Sequence, residues 1–74
     1  MNKGDLIVNL KKLGGVFVYQ YYDDELVIRA FDCGYEEAYI IDANTDYSDL
    51  YIKISSRILE RRNILANYVT NARA

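Results

Sequence analysis

Residues 16–31 read VFVYQYYDDELVIRAF. From Val16 to Tyr22 every residue except Gln20 is β-branched or aromatic, which is the chemistry of a strand, and Asp23-Asp24 breaks the run. If the two aspartates form a two-residue hairpin loop, Tyr22 opposes Glu25, and Phe17, Tyr19, Tyr21, Leu26, Ile28 and Ala30 share the core face. The opposite face then takes Val16, Val18, Gln20, Tyr22, Glu25, Val27, Arg29 and Phe31, whose polar members mark it as the solvent side. On that face Val16, Val18, Val27 and Phe31 form an apolar patch of the kind that marks an interface. Asp-Asp lacks the glycine that the tightest hairpin loops prefer, so a one-residue slip in register stays open.

Working outward, Asp32-Cys33-Gly34-Tyr35 makes a second turn, with Gly34 free to take a positive φ. It leads to a third strand over about residues 36–41, whose inward set is either Glu37-Tyr39-Ile41 or Ala38-Ile40. Upstream, Leu6, Leu10 and Leu13 recur at helical spacing, Asn2 is an N-cap and Gly14-Gly15 a stop, which predicts a helix over about 3–13. Asp5 in its first turn and Lys11-Lys12 in its last oppose the helix dipole. Downstream, DANTDYS (42–48) reads as a loop ending in an N-cap. Leu50, Ile54, Ile58, Leu65 and Tyr68-Val69 then predict a helix over about 49–70. A short fourth strand over 50–55, with the helix starting near Ser56, is the alternative. The expectation is one α+β domain over residues 1–74: a three-stranded antiparallel β-meander with an N-terminal and a C-terminal helix (αβββα). Its core joins Leu6, Leu10 and Leu13 to Phe17, Tyr19, Leu26, Ile28, Ile54 and Ile58.

Composition narrows the function. With 51% hydrophobic residues, 27% charged and no proline, the chain is of ordinary globular type. The absence of histidine rules out Ser-His-Asp and Cys-His catalysis and histidine metal sites. Cys33 is the single cysteine, so no intramolecular disulfide forms, and a reducing cytoplasm is the expected compartment. Asp32 beside it disfavours a thiolate nucleophile. Asp23, Asp24 and Glu25 alternate in direction along an extended chain and do not converge on a cation. Gly14-Gly15 precedes a strand rather than opening a helix, so it is no phosphate loop. The expectations are no enzyme activity, no cofactor and no metal. With no signal-peptide pattern and no apolar run of membrane length, neither export nor membrane insertion is expected.

The net charge of −2 conceals a segregation. From Asp23 to Asp49 nine acids face Arg29 alone, a charge of −8, and the flanks carry +6. Eight tyrosines invite the idea of base stacking, but phosphates need a cationic surface around the aromatics. Direct nucleic-acid binding is therefore disfavoured, surviving only as a stripe of Lys53, Arg57, Arg61 and Arg62 on the second helix.

The order helix, three antiparallel strands, helix opens here with MNKGDLIVNLKK and passes through an acidic meander into a loop-capped helix. In this it resembles the small phage anti-CRISPR proteins that block the type II RNA-guided nuclease, with a local echo at Asn2, Asp5, Leu6, Ile7 and Lys11. The resemblance implies that acidic side chains of the sheet loops occupy the cationic cleft that reads the protospacer-adjacent motif. Asp23, Asp24, Glu25, Asp32, Glu36 and Glu37 are the positions that would inherit this role. With Tyr22 and Tyr35 beside them they form the expected partner-binding surface, because carboxylates steer association and tyrosine brings area at low entropic cost. The expected partner is a basic, nucleic-acid-binding protein. A homodimeric structural or assembly protein is the alternative.

Overall fold

A computed structural model describes residues 1–73, with side chains through Tyr68. The chain forms helix α1 (Lys3–Lys11), strands β1 (Phe17–Tyr21) and β2 (Glu25–Ala30), a 3-10 turn (Phe31–Cys33), strand β3 (Tyr35–Ile40) and helix α2 (Tyr47–Arg73). The sheet is antiparallel in the order β1-β2-β3, so the expected αβββα meander is the fold.

Local chemistry accounts for the boundaries. The Asn2 side chain accepts the Asp5 N–H at 2.8 Å, and the Asp5 carboxylate accepts the Asn2 N–H at 3.2 Å, a reciprocal cap that starts α1. The helix stops where Gly14 and Gly15 adopt φ of 77° and 66°, reversing the chain into β1. Residues 50–55 are helical, so the fourth strand does not form. The N-cap of α2 is Asp46, whose Oδ1 accepts the Asp49 N–H at 3.0 Å, and not Ser48, which lies inside the helix.

The β1–β2 hairpin departs from the expected register by one residue. Tyr21, rather than Tyr22, pairs with Glu25, and Phe17 pairs with Arg29. A two-residue type I′ loop needs positive φ at both central residues, costly for two aspartates. The three-residue loop Tyr22-Asp23-Asp24 places that strain on Tyr22 alone, at φ 58°. The slip exchanges the faces of β1. Val16, 6% exposed, and Val18 turn inward, while Phe17, Tyr19 and Tyr21 turn outward. On β3 the inward set is Tyr35, Glu37 and Tyr39, opposite Ala30, Ile28 and Leu26, with Ile41 buried beyond the strand's end.

Both helices lie on the inner face. Leu6 and Leu10 of α1, Leu26 and Ile28 of β2, and Ile54 and Ile58 of α2 are fully buried, each stabilising the fold by about 1.5–3 kcal/mol. Arg62 closes one end: its guanidinium donates to the carbonyls of Leu13 (3.2 Å) and Gly14 (2.7 Å), and its Nε lies 2.9 Å from Asp32 Oδ2. Beyond Arg62, residues 63–68 are exposed, Ile64, Leu65 and Tyr68 among them. The 27 residues of α2 span about 40 Å, and the molecule measures 49 × 20 × 17 Å.

Candidate functional site

The hairpin turn and the loop entering α2 meet at one end of the sheet, because the Ile41 N–H donates to the Asp24 carbonyl at 2.7 Å. This sets Asp23, Asp24 and Glu25 beside Asp42, with Asp46 and Asp49 following at the start of α2, an acidic pole of six residues by chain order. Two of these carboxylates have local structural tasks. Asp42 Oδ1 accepts the Asn44 N–H at 2.7 Å in a turn closed by Thr45, and Asp46 caps α2. The side chains of Asp23, Asp24 and Asp49 make no hydrogen bond or ion pair among the described residues, and all three are exposed. Among the described residues none of these six acids has an ion pair, and the positive end of the α2 dipole lessens their mutual repulsion. Tyr22 stands beside them with 83% of its surface exposed.

The eight positions expected to form one surface are divided by the fold. Tyr22, Asp23, Asp24 and Glu25 stay together at the pole. Asp32 lies at the opposite end of the sheet and is held by Arg62. Glu36 pairs with Arg29 at 3.1 Å across the outer sheet face. Glu37 faces the helix side, where a shallow cleft is lined by Tyr35, Glu37, Arg57, Glu60, Arg61 and Ile64 with charges of both signs. Tyr35 is not a surface residue at all. At 2% exposure it belongs to the core, its hydroxyl bonded to that of Tyr39 and its ring covered by Arg61 at 5.4 Å.

The apolar interface patch is also recomposed. Val16 and Val18 leave it for the core; Val27 and Phe31 stay on the outer side, but Val27 is buried there at 6% exposure, at the middle of the central strand, and only Phe31 is exposed. The slip brings in Phe17, Tyr19 and Tyr21, and Ile40 joins from β3 with 70% exposure. Phe17 and Phe31 meet at 5.5 Å between ring centres, and Arg29 lies 5.2 Å from the centre of the Tyr19 ring. Among the described residues no helix covers this face, and Phe17, Tyr21, Phe31 and Ile40 are exposed on it. The signal that could have found it was the missing glycine at the hairpin, which favours a three-residue loop.

The basic stripe of α2 is largely engaged within the molecule. Lys53 lies over the Tyr39 ring at 5.8 Å, Arg61 donates to the Gly34 carbonyl at 2.9 Å, and Arg62 holds Asp32. Among the described residues, no group of three or more Cys, Asp or Glu side chains is placed to hold a metal ion, and no helix is long and apolar enough to cross a membrane. No protein-family model, curated protein or solved structure matches the chain. Of the resemblance to the small anti-CRISPR proteins, the structure shows only the general αβββα order of elements.

Proposed function

We propose that this small α+β protein is a non-enzymatic binding protein of the phage or mobile-element inhibitor type. Its acidic pole docks in the cationic cleft of a nucleic-acid-binding protein, in the host cytoplasm, and competes there with nucleic acid. The observation that carries this reading is the sorting of the carboxylates. Asp32 and Glu36 are consumed by Arg62 and Arg29, whereas Asp23, Asp24 and Asp49 project at one end with no cation paired to them. Like charges grouped this way raise the energy of the folded chain and lower the energy of a complex with a basic surface. Tyr22 supports the same end. A large aromatic side chain held in a left-handed conformation and left in water costs stability, and such positions concentrate at binding sites.

The test uses immobilised protein and a guide-loaded type II RNA-guided nuclease, with target DNA as competitor. Capture is expected, weakening as salt rises and giving way to DNA that carries the adjacent motif. Asp23→Lys/Asp24→Lys/Asp49→Lys, checked for folding by circular dichroism, should lower capture at least tenfold at low salt, on the order expected for lost steering and lost charge pairs. A folded triple variant that captures as well as the parent at every salt would remove the acidic pole from the mechanism. Absence of capture by the parent would exclude this nuclease as the partner.

A further inference from the structure

The loop between β1 and β2 carries its strain on an unexpected residue. It consists of Tyr22, Asp23 and Asp24, and among the described residues Tyr22 is the one residue other than glycine with a positive φ, 58°. Aspartate enters the left-handed region more readily than an aromatic residue does, so either loop aspartate would hold that conformation at lower cost. The strain sits instead on the bulkiest side chain of the loop. A residue strained in this way persists only where its surroundings fix it.

Two hydrogen bonds supply the fixing. The Gln20 side-chain amide donates to the Tyr22 carbonyl at 3.2 Å and so holds the peptide that leaves Tyr22. At the other end of the loop the Ile41 N–H donates to the Asp24 carbonyl. Gln20 has no part in the core, although its pairing with Leu26 puts it on the inner face of the sheet, and it remains exposed. Its amide serves the loop. The Tyr22 ring is 83% exposed, and among the described residues no other ring or cation lies against it.

We infer that Gln20 is a positioning residue, whose amide presets the hairpin tip so that the Tyr22 ring stands out as a preformed anchor for a protein partner. The inference rests on the binding function proposed above and adds to it a contact that is not electrostatic. Aromatic anchors that fill a pocket carry much of the binding energy of an interface, and a tip fixed beforehand loses less entropy on docking. The carboxylates of the pole steer the encounter. Gln20 and Tyr22 are uncharged, so they set how long the complex lasts, and they do so at any salt concentration.

The experiment follows dissociation of the captured guide-loaded nuclease from the parent, Gln20→Met, Tyr22→Ala and the double variant at low and high salt. Backbone order of each free protein is measured alongside by NMR relaxation. Gln20→Met keeps the length of the side chain but cannot donate, and Tyr22→Ala removes the ring while keeping a Cβ. Each change should speed dissociation about fivefold or more at both salts and leave association unchanged. The double variant should dissociate no faster than Tyr22→Ala, because the amide acts through the ring. Residues 22–24 should be ordered in the free parent and lose order in Gln20→Met. Dissociation that ignores Gln20→Met overturns the inference, and so does a tip equally ordered without the amide. An effect of Gln20→Met that persists in full without the ring overturns it as well, since Gln20 would then support the fold alone. Failure of the nuclease to capture the parent counts against the proposed partner, and the order of the tip in the free proteins then decides whether Gln20 positions Tyr22.

Discussion

Tyr22 holds a backbone conformation that a residue with a Cβ adopts at a cost of about 1–2 kcal/mol. Its side chain is solvent-exposed and returns nothing to the core. Tyr22→Gly should therefore raise stability to chemical denaturation by about 1 kcal/mol, while weakening partner capture if the ring contributes to binding. A loss of stability would mean that the ring makes contacts on the sheet that outweigh the strain. Tyr35 is the opposite case. Burial foremost, then the Tyr39 hydroxyl and the charge of Glu37, push its phenol well above the usual range. The unfolded chain ionises this residue near pH 10 and the folded chain does not. Its contribution to stability is thus complete below about pH 10 and is lost as the pH rises further. Alkaline titration followed by phenolate absorbance should show one of the eight tyrosines ionising only as the protein unfolds. Smooth titration of all eight in the native state would contradict this. Neither property was legible in the sequence. Tyr22 and Tyr35 both sit at turns rich in acids, and only the hairpin loop length and the packing of Arg61 separate a solvent-exposed tyrosine from a buried one.

The elements whose boundaries are chemically marked were readable. Asn2, Asp5 and the Gly14-Gly15 pair leave α1 little freedom in where it begins and ends. The start of α2 was less clear because DANTDYS offers several capping side chains. Asp46 takes the position because its carboxylate reaches the Asp49 N–H while Asp42 is occupied by its own turn. Asp46→Ala should cost about 1 kcal/mol in urea unfolding, and Ser48→Ala less than about 0.5. Equal effects would leave the cap unassigned. The β1 register was the weakest point for a physical reason. Phe17, Tyr19 and Tyr21 are about as suited to a core as Val16 and Val18, so the alternation of β1 carries almost no information about which face is buried. Strand β2 is different: Leu26, Ile28 and Ala30 alternate with Glu25 and Arg29, and its inward face was placed correctly, although Val27 on the other face is buried too.

At the scale of the whole molecule, one core must hold everything, and a domain of this size has only about 3–5 kcal/mol in hand. Leu10, fully buried between α1 and the sheet, is central to it. Leu10→Ala should remove about 2–5 kcal/mol and leave much of the population unfolded at room temperature. A melting temperature that hardly moved would place the core elsewhere. The segregation of charge also resolves at this scale. The pairing of Asp32 with Arg62 spans 30 residues and no local pattern announces it, yet it decides which acids remain for a partner. The length of α2 has a further consequence. Its first turns lie at the acidic pole, Ile54 and Ile58 anchor it, and residues 63–68 are exposed. Turns held mainly by their own backbone bonds open at little free-energy cost, whereas anchored turns open only with the whole fold. Deuterium uptake along α2 should therefore be graded, slow around Ile54–Ile58 and rising steeply over residues 63–68. Asp46 and Asp49 sit at the start of α2, on the near side of the anchored Ile54–Ile58 turns, so thermal opening over residues 63–68 leaves their geometry unchanged.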